Sequence, residues 1–259
     1  MRKLLKITTT FVVALIFTAG MAFGQNNEAE IQQSGDNLEG IVTQSGQANI
    51  ATLKQNGGAD NLANIDQEGT GHESTVLQPE GGGGWPYKVN AQVTQKGQSN
   101  YSGIEQNGTR NDLAKQYQKG NGHEAEIFQI ANGGDFNRAD QRQWGSGHYA
   151  RIQQESSPGA KVVQKQLKSD NWARSKQVGS DGATVEVFQK GSDLYIDTEQ
   201  RSADRSSIES SQEGVAHIAE ILQENGSDLK ATLDQSGTGH QADIYQSGQG
   251  NTATVTQSN

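Results

Sequence analysis

The chain has 259 residues, 30 acidic against 21 basic side chains for a formal net charge of −9, 31% apolar residues, 32 glycines and no cysteine. So acidic a balance argues against a nucleic-acid partner, because phosphate recognition needs a basic face, and the lack of cysteine excludes disulfide staples and thiolate metal sites. A composition this polar also fits a disordered chain, and only a fixed register along the sequence argues otherwise.

The first segment, residues 1–24, carries Arg2, Lys3 and Lys6 ahead of an apolar stretch from Phe11 to Phe17, with Ala22 and Gly24 placed before a cut at Gln25. This is the pattern of a secretory signal peptide, and its apolar run is too short to span a bilayer. Its removal takes away three cations and no carboxylate, leaving a mature chain of −12 over residues 25–259.

From there to the end, one glutamine recurs. Gln33, Gln44, Gln55, Gln67, Gln78, Gln95, Gln106, Gln118, Gln129, Gln143, Gln154, Gln166, Gln177, Gln189, Gln200, Gln212, Gln223, Gln235, Gln246 and Gln257 each close a segment of the form N-x-A-x-I-x-Q. QSGQANIATLKQ (44–55), QSGTGHQADIYQ (235–246) and QSGQGNTATVTQ (246–257) are clear copies. A repeat this short belongs to a solenoid or an array.

Every step that starts from the second, fourth and later even members of the series is 11 residues long, whereas the alternate steps vary between 11 and 17. The asymmetry predicts a coil with two strands per turn, one tight edge, and one edge where insertions collect. The longest insertion, Pro79–Lys88, holds two of the three prolines and four consecutive glycines, as a loop leaving a sheet would.

Within each segment the N, A, I and Q positions are two apart, so an extended strand turns them to one face and the intervening residues to the other. The expected fold is all-β: a β-solenoid of about ten two-stranded rungs, cross-β in the manner of amyloid, with a thin dry interior of Ala against Ile and stacked amides. Asn49, Asn100, Asn171 and Asn251 join the glutamines in these ladders. Charged residues fall mostly on outward positions, and both end strands offer unpaired backbone groups that could template a further copy.

Two sets of residues could carry chemistry. His72, His123, His148, His217 and His240 all lie five residues after an even member of the series, in one column with Asn49, Asn100 and Asn171. A metal stripe is one reading; imidazole standing in for an amide is the favoured one, with assembly weakening as pH falls toward about 6. Next to that column, Tyr101, Tyr149, Trp172 and Tyr195 predict an exposed aromatic ladder for lateral contacts, surfaces or polysaccharide, with plain packing between rungs as the blander reading. No nucleophile elbow or acid pair stands out, so neither catalysis nor a cofactor is expected.

These residues resemble the curlin repeat of curli amyloid subunits, whose signature couples Q-x-G-x-x-N-x-A with a closing Q in units of about two strands. The resemblance runs from Asn27 to Gln257. It implies a protein secreted by a Gram-negative bacterium that polymerises head to tail with copies of itself into extracellular fibres of the biofilm matrix. A curli-type nucleator and an outer-membrane secretion pore are the further partners it implies. Two alternatives remain open: a minor, nucleating subunit of such fibres, and a monomeric solenoid adhesin.

Overall fold

The computed structural model describes residues 26–79, 87–130 and 136–259; the segment 1–24 and most of the 79–88 insertion lie outside them. The period-two alternation of the repeat produces twenty strands, and no helix occurs among the described residues. In chain order they are β1 (Glu28–Asp36), β2 (Glu39–Gln47), β3 (Ile50–Ala59), β4 (Leu62–Thr70), β5 (Glu73–Gln78), β6 (Asn90–Gln98), β7 (Tyr101–Asn107), β8 (Leu113–Asn121), β9 (Glu124–Ile130) and β10 (Arg138–Ser146). The second half follows as β11 (Tyr149–Glu155), β12 (Lys161–Ser169), β13 (Trp172–Val178), β14 (Thr184–Ser192), β15 (Tyr195–Asp204), β16 (Ser207–Val215), β17 (Ile218–Ser227), β18 (Lys230–Thr238), β19 (Gln241–Gln249) and β20 (Thr252–Ser258).

Odd strands form one ten-stranded sheet and even strands another, each strand pairing in parallel with the strand two places on. One odd and one even strand therefore make a rung, and ten rungs make a β-solenoid. The register puts like on like: Ala150 beside Ala173 and Gln154 beside Gln177 in the odd sheet, Gln166 beside Gln189 in the even one.

The core is the seam between the two sheets. On β3, Ala51, Leu53 and Gln55 are buried while Thr52 is half-buried. Every repeat glutamine from Gln55 to Gln235 is 0% exposed. At the ends this changes: the inward side chains of β1, β2 and β20 are only half-buried, because among the described residues no further rung covers them.

The tight edge explains the glycine two residues after most even members of the glutamine series. Gly69, Gly97, Gly120 and Gly145 have φ between 113° and 135°, and an added Cβ would meet a backbone carbonyl of the next rung well inside van der Waals contact. Lys168 is the exception, occupying this column between Gly145 and Gly191 with φ of 83°.

The interior is less uniformly apolar than the repeat predicts. At the position two before the closing glutamine, where most rungs carry Ile, Leu or Val, the even strands β8, β10 and β12 place Gln116, Gln141 and Gln164, all buried. The odd strands β13 and β15 place Ser175 and Thr198 at the equivalent position. A polar vein thus runs through the middle of the core.

Candidate functional site: ladders and ends

The repeat glutamines form two unbroken amide chains. In the odd sheet the Nε2 of each donates to the Oε1 of the next, from Gln33 to Gln55 at 2.6 Å, through Gln78, Gln106, Gln129, Gln154, Gln177 and Gln200, to the step from Gln223 to Gln246 at 2.8 Å. In the even sheet the chain runs from Gln44 to Gln67 at 2.8 Å and ends with Gln235 donating to Gln257 at 2.7 Å. The second N–H of many of these amides donates across the core to a backbone carbonyl at the start of the facing strand, as from Gln67 to Ile50 at 3.0 Å and from Gln143 to Glu124 at 3.0 Å. Both hydrogens are thereby satisfied, which a buried amide requires. All donors point the same way, so the solenoid has a chemical polarity.

The histidine column sits at the tight edge and shows why imidazole alternates with asparagine there. Asn49 Oδ1 accepts the backbone N–H of His72 at 3.0 Å, and His72 Nδ1 in turn accepts that of Asn100 at 3.2 Å. The pattern repeats through His123, His148 and Asn171, and again from His217 to His240. Asn49 Nδ2 donates to the carbonyl four residues back at 3.1 Å, and the Nε2 of His72, His123, His148, His217 and His240 takes the same place. That geometry fixes a neutral ring protonated on Nε2. Leu194 interrupts the column, having no acceptor to offer.

Burial is the largest influence on these rings and disfavours the imidazolium: His72 and His148 lie below the usual histidine value, and His123, with His148 stacked on it, is lowered to about 4. His123 and His148 stack with centroids 5.0 Å apart, His217 and His240 at 5.1 Å. In His72, His123, His148 and His217 both ring nitrogens are engaged and no lone pair is left for a metal, and no group of three potential metal ligands occurs among the described residues. Asn251 lies on the other, variable edge, where its Nδ2 donates to the carbonyl of Ser247 at 2.5 Å.

Tyr149, Trp172 and Tyr195 follow one another on the outer face of the odd sheet, Tyr149 to Trp172 at 5.6 Å and Trp172 to Tyr195 at 4.5 Å with planes within 12° of parallel. Their faces are turned toward one another along the axis and all three are half-buried, so edges rather than ring faces meet solvent. Tyr101 stands apart, separated from Tyr149 by Glu124.

The buried vein is the feature that the repeat reading missed. Ser102 Oγ donates to Gln116 Oε1; Gln116 Nε2 donates to Gln141 at 3.0 Å, Gln141 to Gln164 at 3.1 Å, and Gln164 to Ser175 Oγ at 2.9 Å, with Thr198 Oγ1 donating to Ser175 at 2.9 Å. The signal for it lies in the sequence, as glutamine at an aliphatic consensus position in three successive even strands.

The curlin associated repeat, as a family profile, matches residues 24–57, 58–84 and 226–258, which takes in β1 to β5 and β18 to β20. No curated protein matches the chain.

Proposed function

We infer that this chain, a curlin-repeat protein over its first five and last three strands, is a structural subunit of an extracellular fibre that grows by adding copies end to end. The observation that supports this reading most directly is the pair of one-way amide ladders, whose first strands β1 and β2 and last even strand β20 are only half-buried. Gln33 opens its ladder with an Oε1 that no rung among the described residues precedes, and Gln246 at the far end of the same ladder, with one N–H on the carbonyl of Lys230, has the other to give. A second copy set on the last rung continues both ladders and both backbone sheets without a new kind of contact, so the joint repeats the interior of the subunit.

The curlin repeats support export from a Gram-negative cell and a place in the biofilm matrix, with the nucleator and secretion pore of a curli system as partners. Function then lies in the polymer, with no residue in a catalytic role. Purified residues 25–259, diluted from denaturant with thioflavin T, tests this. A lag abolished by preformed seeds, followed by reflections near ~4.8 Å and ~10 Å from the product, is the expected result. A clear, thioflavin-negative monomer that binds surfaces or glycans would move the assignment to a solenoid adhesin.

A further inference from the structure

Charge is not spread evenly along the axis. Residues 25–110 carry four cations and ten carboxylates, residues 111–190 eleven and nine, and residues 191–259 three and eleven. Alternation then sorts the middle cations by face. On the outer face of β8, β10, β12 and β14 stand Lys115, Lys119, Arg138, Arg142, Lys161, Lys165 and Lys190, against only Asp140 and Glu186.

Pairing leaves much of that charge uncompensated. Asp140 is shared by Arg138 at 3.2 Å and Arg142 at 2.9 Å, while Lys161 pairs with Glu186 and Lys190 with Glu213. Lys165 lies over the rings of Trp144 and Phe188, at 5.6 Å and 5.4 Å. The result is a basic strip with aromatic relief on a protein whose mature net charge is −12.

The complement is present on the same molecule. On the outer face of the odd sheet, Asp197 is paired with Arg174, Glu199 with Lys176 and Arg201, and Glu30 with Lys54, which leaves Glu220, Glu224 and Asp243 on β17 and β19 and Glu28 on β1 without a cationic partner among the ion pairs of the described residues. In an end-to-end fibre β19 meets β1 of the next copy, so these form one continuous acidic block over each joint.

We propose that the basic strip on β8–β14 of one fibre docks laterally on the acidic joint block of a second fibre of this same chain, even sheet against odd sheet. Both faces are parallel in-register ladders with one rung spacing, so opposite charges can meet rung for rung. Such a contact is heterologous and leaves the outer faces of the pair free, which lets bundles widen. The proposal rests on the fibre reading above, and its test separates the two.

The test uses fibres of residues 25–259 grown from seeds, with elongation rate and bundle width by electron microscopy recorded together. Exposed charges are screened beyond roughly 10 Å at 0.1 M salt and roughly 3 Å at 1 M. Wide bundles at low salt that separate several-fold into single fibres at high salt, with cross-β order kept, is the expected result. The variant Lys115→Glu/Lys119→Glu/Lys165→Glu should elongate but stay single, as should Glu220→Lys/Asp243→Lys, and mixing the two sets of fibres should restore bundles. Bundles that survive high salt, or a triple variant that bundles like the parent, would overturn the proposal while leaving the fibre intact. Failure to form fibres at all would overturn the fibre reading and the lateral contact with it.

Discussion

The Nδ1 of His123 accepts the backbone N–H of His148 at 3.3 Å while the two rings stack 5.0 Å apart, so one proton on His123 would remove an acceptor and set a cation against its neighbour. An imidazole in the unfolded chain titrates near ~6.5, whereas His123 in the fold is held down to about 4. Below pH ~6.5 the unfolded chain takes up a proton that the folded chain refuses, so stability falls with pH until about 4 and is level above ~7. For His123 the loss is on the order of 2 kcal/mol, with His72 and His148 adding in the same direction.

The window therefore lies lower than the repeat pattern alone predicted. His123→Asn/His148→Asn should keep the acceptors and drop the titration. Its guanidinium midpoint should match the parent at pH 7.5 and exceed it at pH 4.5; equal losses on acidification in both proteins would count against the histidine column as the cause.

Gln143 joins Gln118 at 3.0 Å to Gln166 at 2.9 Å and ties both to the carbonyl of Glu124. Gln143→Leu fills the space yet strands a buried donor on Gln118 and a buried acceptor on Gln166. The expected cost is ~3 kcal/mol, read as a lowered guanidinium midpoint. Thr52→Leu, outward and outside the ladder, serves as the control and should cost well under 1 kcal/mol.

The polar vein behaves as a unit. Gln141→Val alone takes the acceptor from one N–H of Gln116 and the donor from Oε1 of Gln164, and should cost about 2 kcal/mol. Replacing Gln116, Gln141 and Gln164 by valine together with Ser102→Ala removes these side-chain donors and acceptors in concert and gives β8, β10 and β12 the aliphatic residue that most other even strands carry there, such as Val93 and Val187. That quadruple variant should recover most of the loss, by the same midpoint assay. A quadruple variant worse than the single would show that the vein contributes net stability.

At the tight edge, Lys168 holds φ of 83° in a column otherwise served by Gly145 and Gly191. Lys168→Gly should stabilise by about 1 kcal/mol, because glycine adopts that conformation without Cβ strain. Gly145→Ala should destabilise by ~2 kcal/mol or more, since its Cβ would press on the carbonyl of Lys168.

The spacing of Gln33 to Gln257 alone was enough to read two strands per turn, ten rungs, and the inward set Ala51, Leu53 and Gln55, because period-two alternation and a fixed register leave a sheet little choice. The shared column of histidine and asparagine was legible too, but not its cause: equivalence rests on Nδ1 and Nε2 reproducing Oδ1 and Nδ2, which appears only with the backbone of the next rung in place. Tyr101 shows the limit from the other side. Its place in the outward column, with Glu124 on the rung between it and Tyr149, was legible from the spacing; that the rings of Tyr149, Trp172 and Tyr195 stack while Tyr101 stays apart follows from adjacency. Gln116, Gln141 and Gln164 were hidden among many glutamines, their role set by which side of the strand they occupy.

Mass per unit length of single fibres of residues 25–259 tests the central claim most directly. Ten rungs at about 4.8 Å per rung place one chain in every ~48 Å of fibre. That value, with a continuous ~4.8 Å reflection, is what end-to-end stacking of intact solenoids requires. One chain per ~4.8 Å would mean that each molecule lies flat as a single layer of an ordinary in-register amyloid, and would contradict the account.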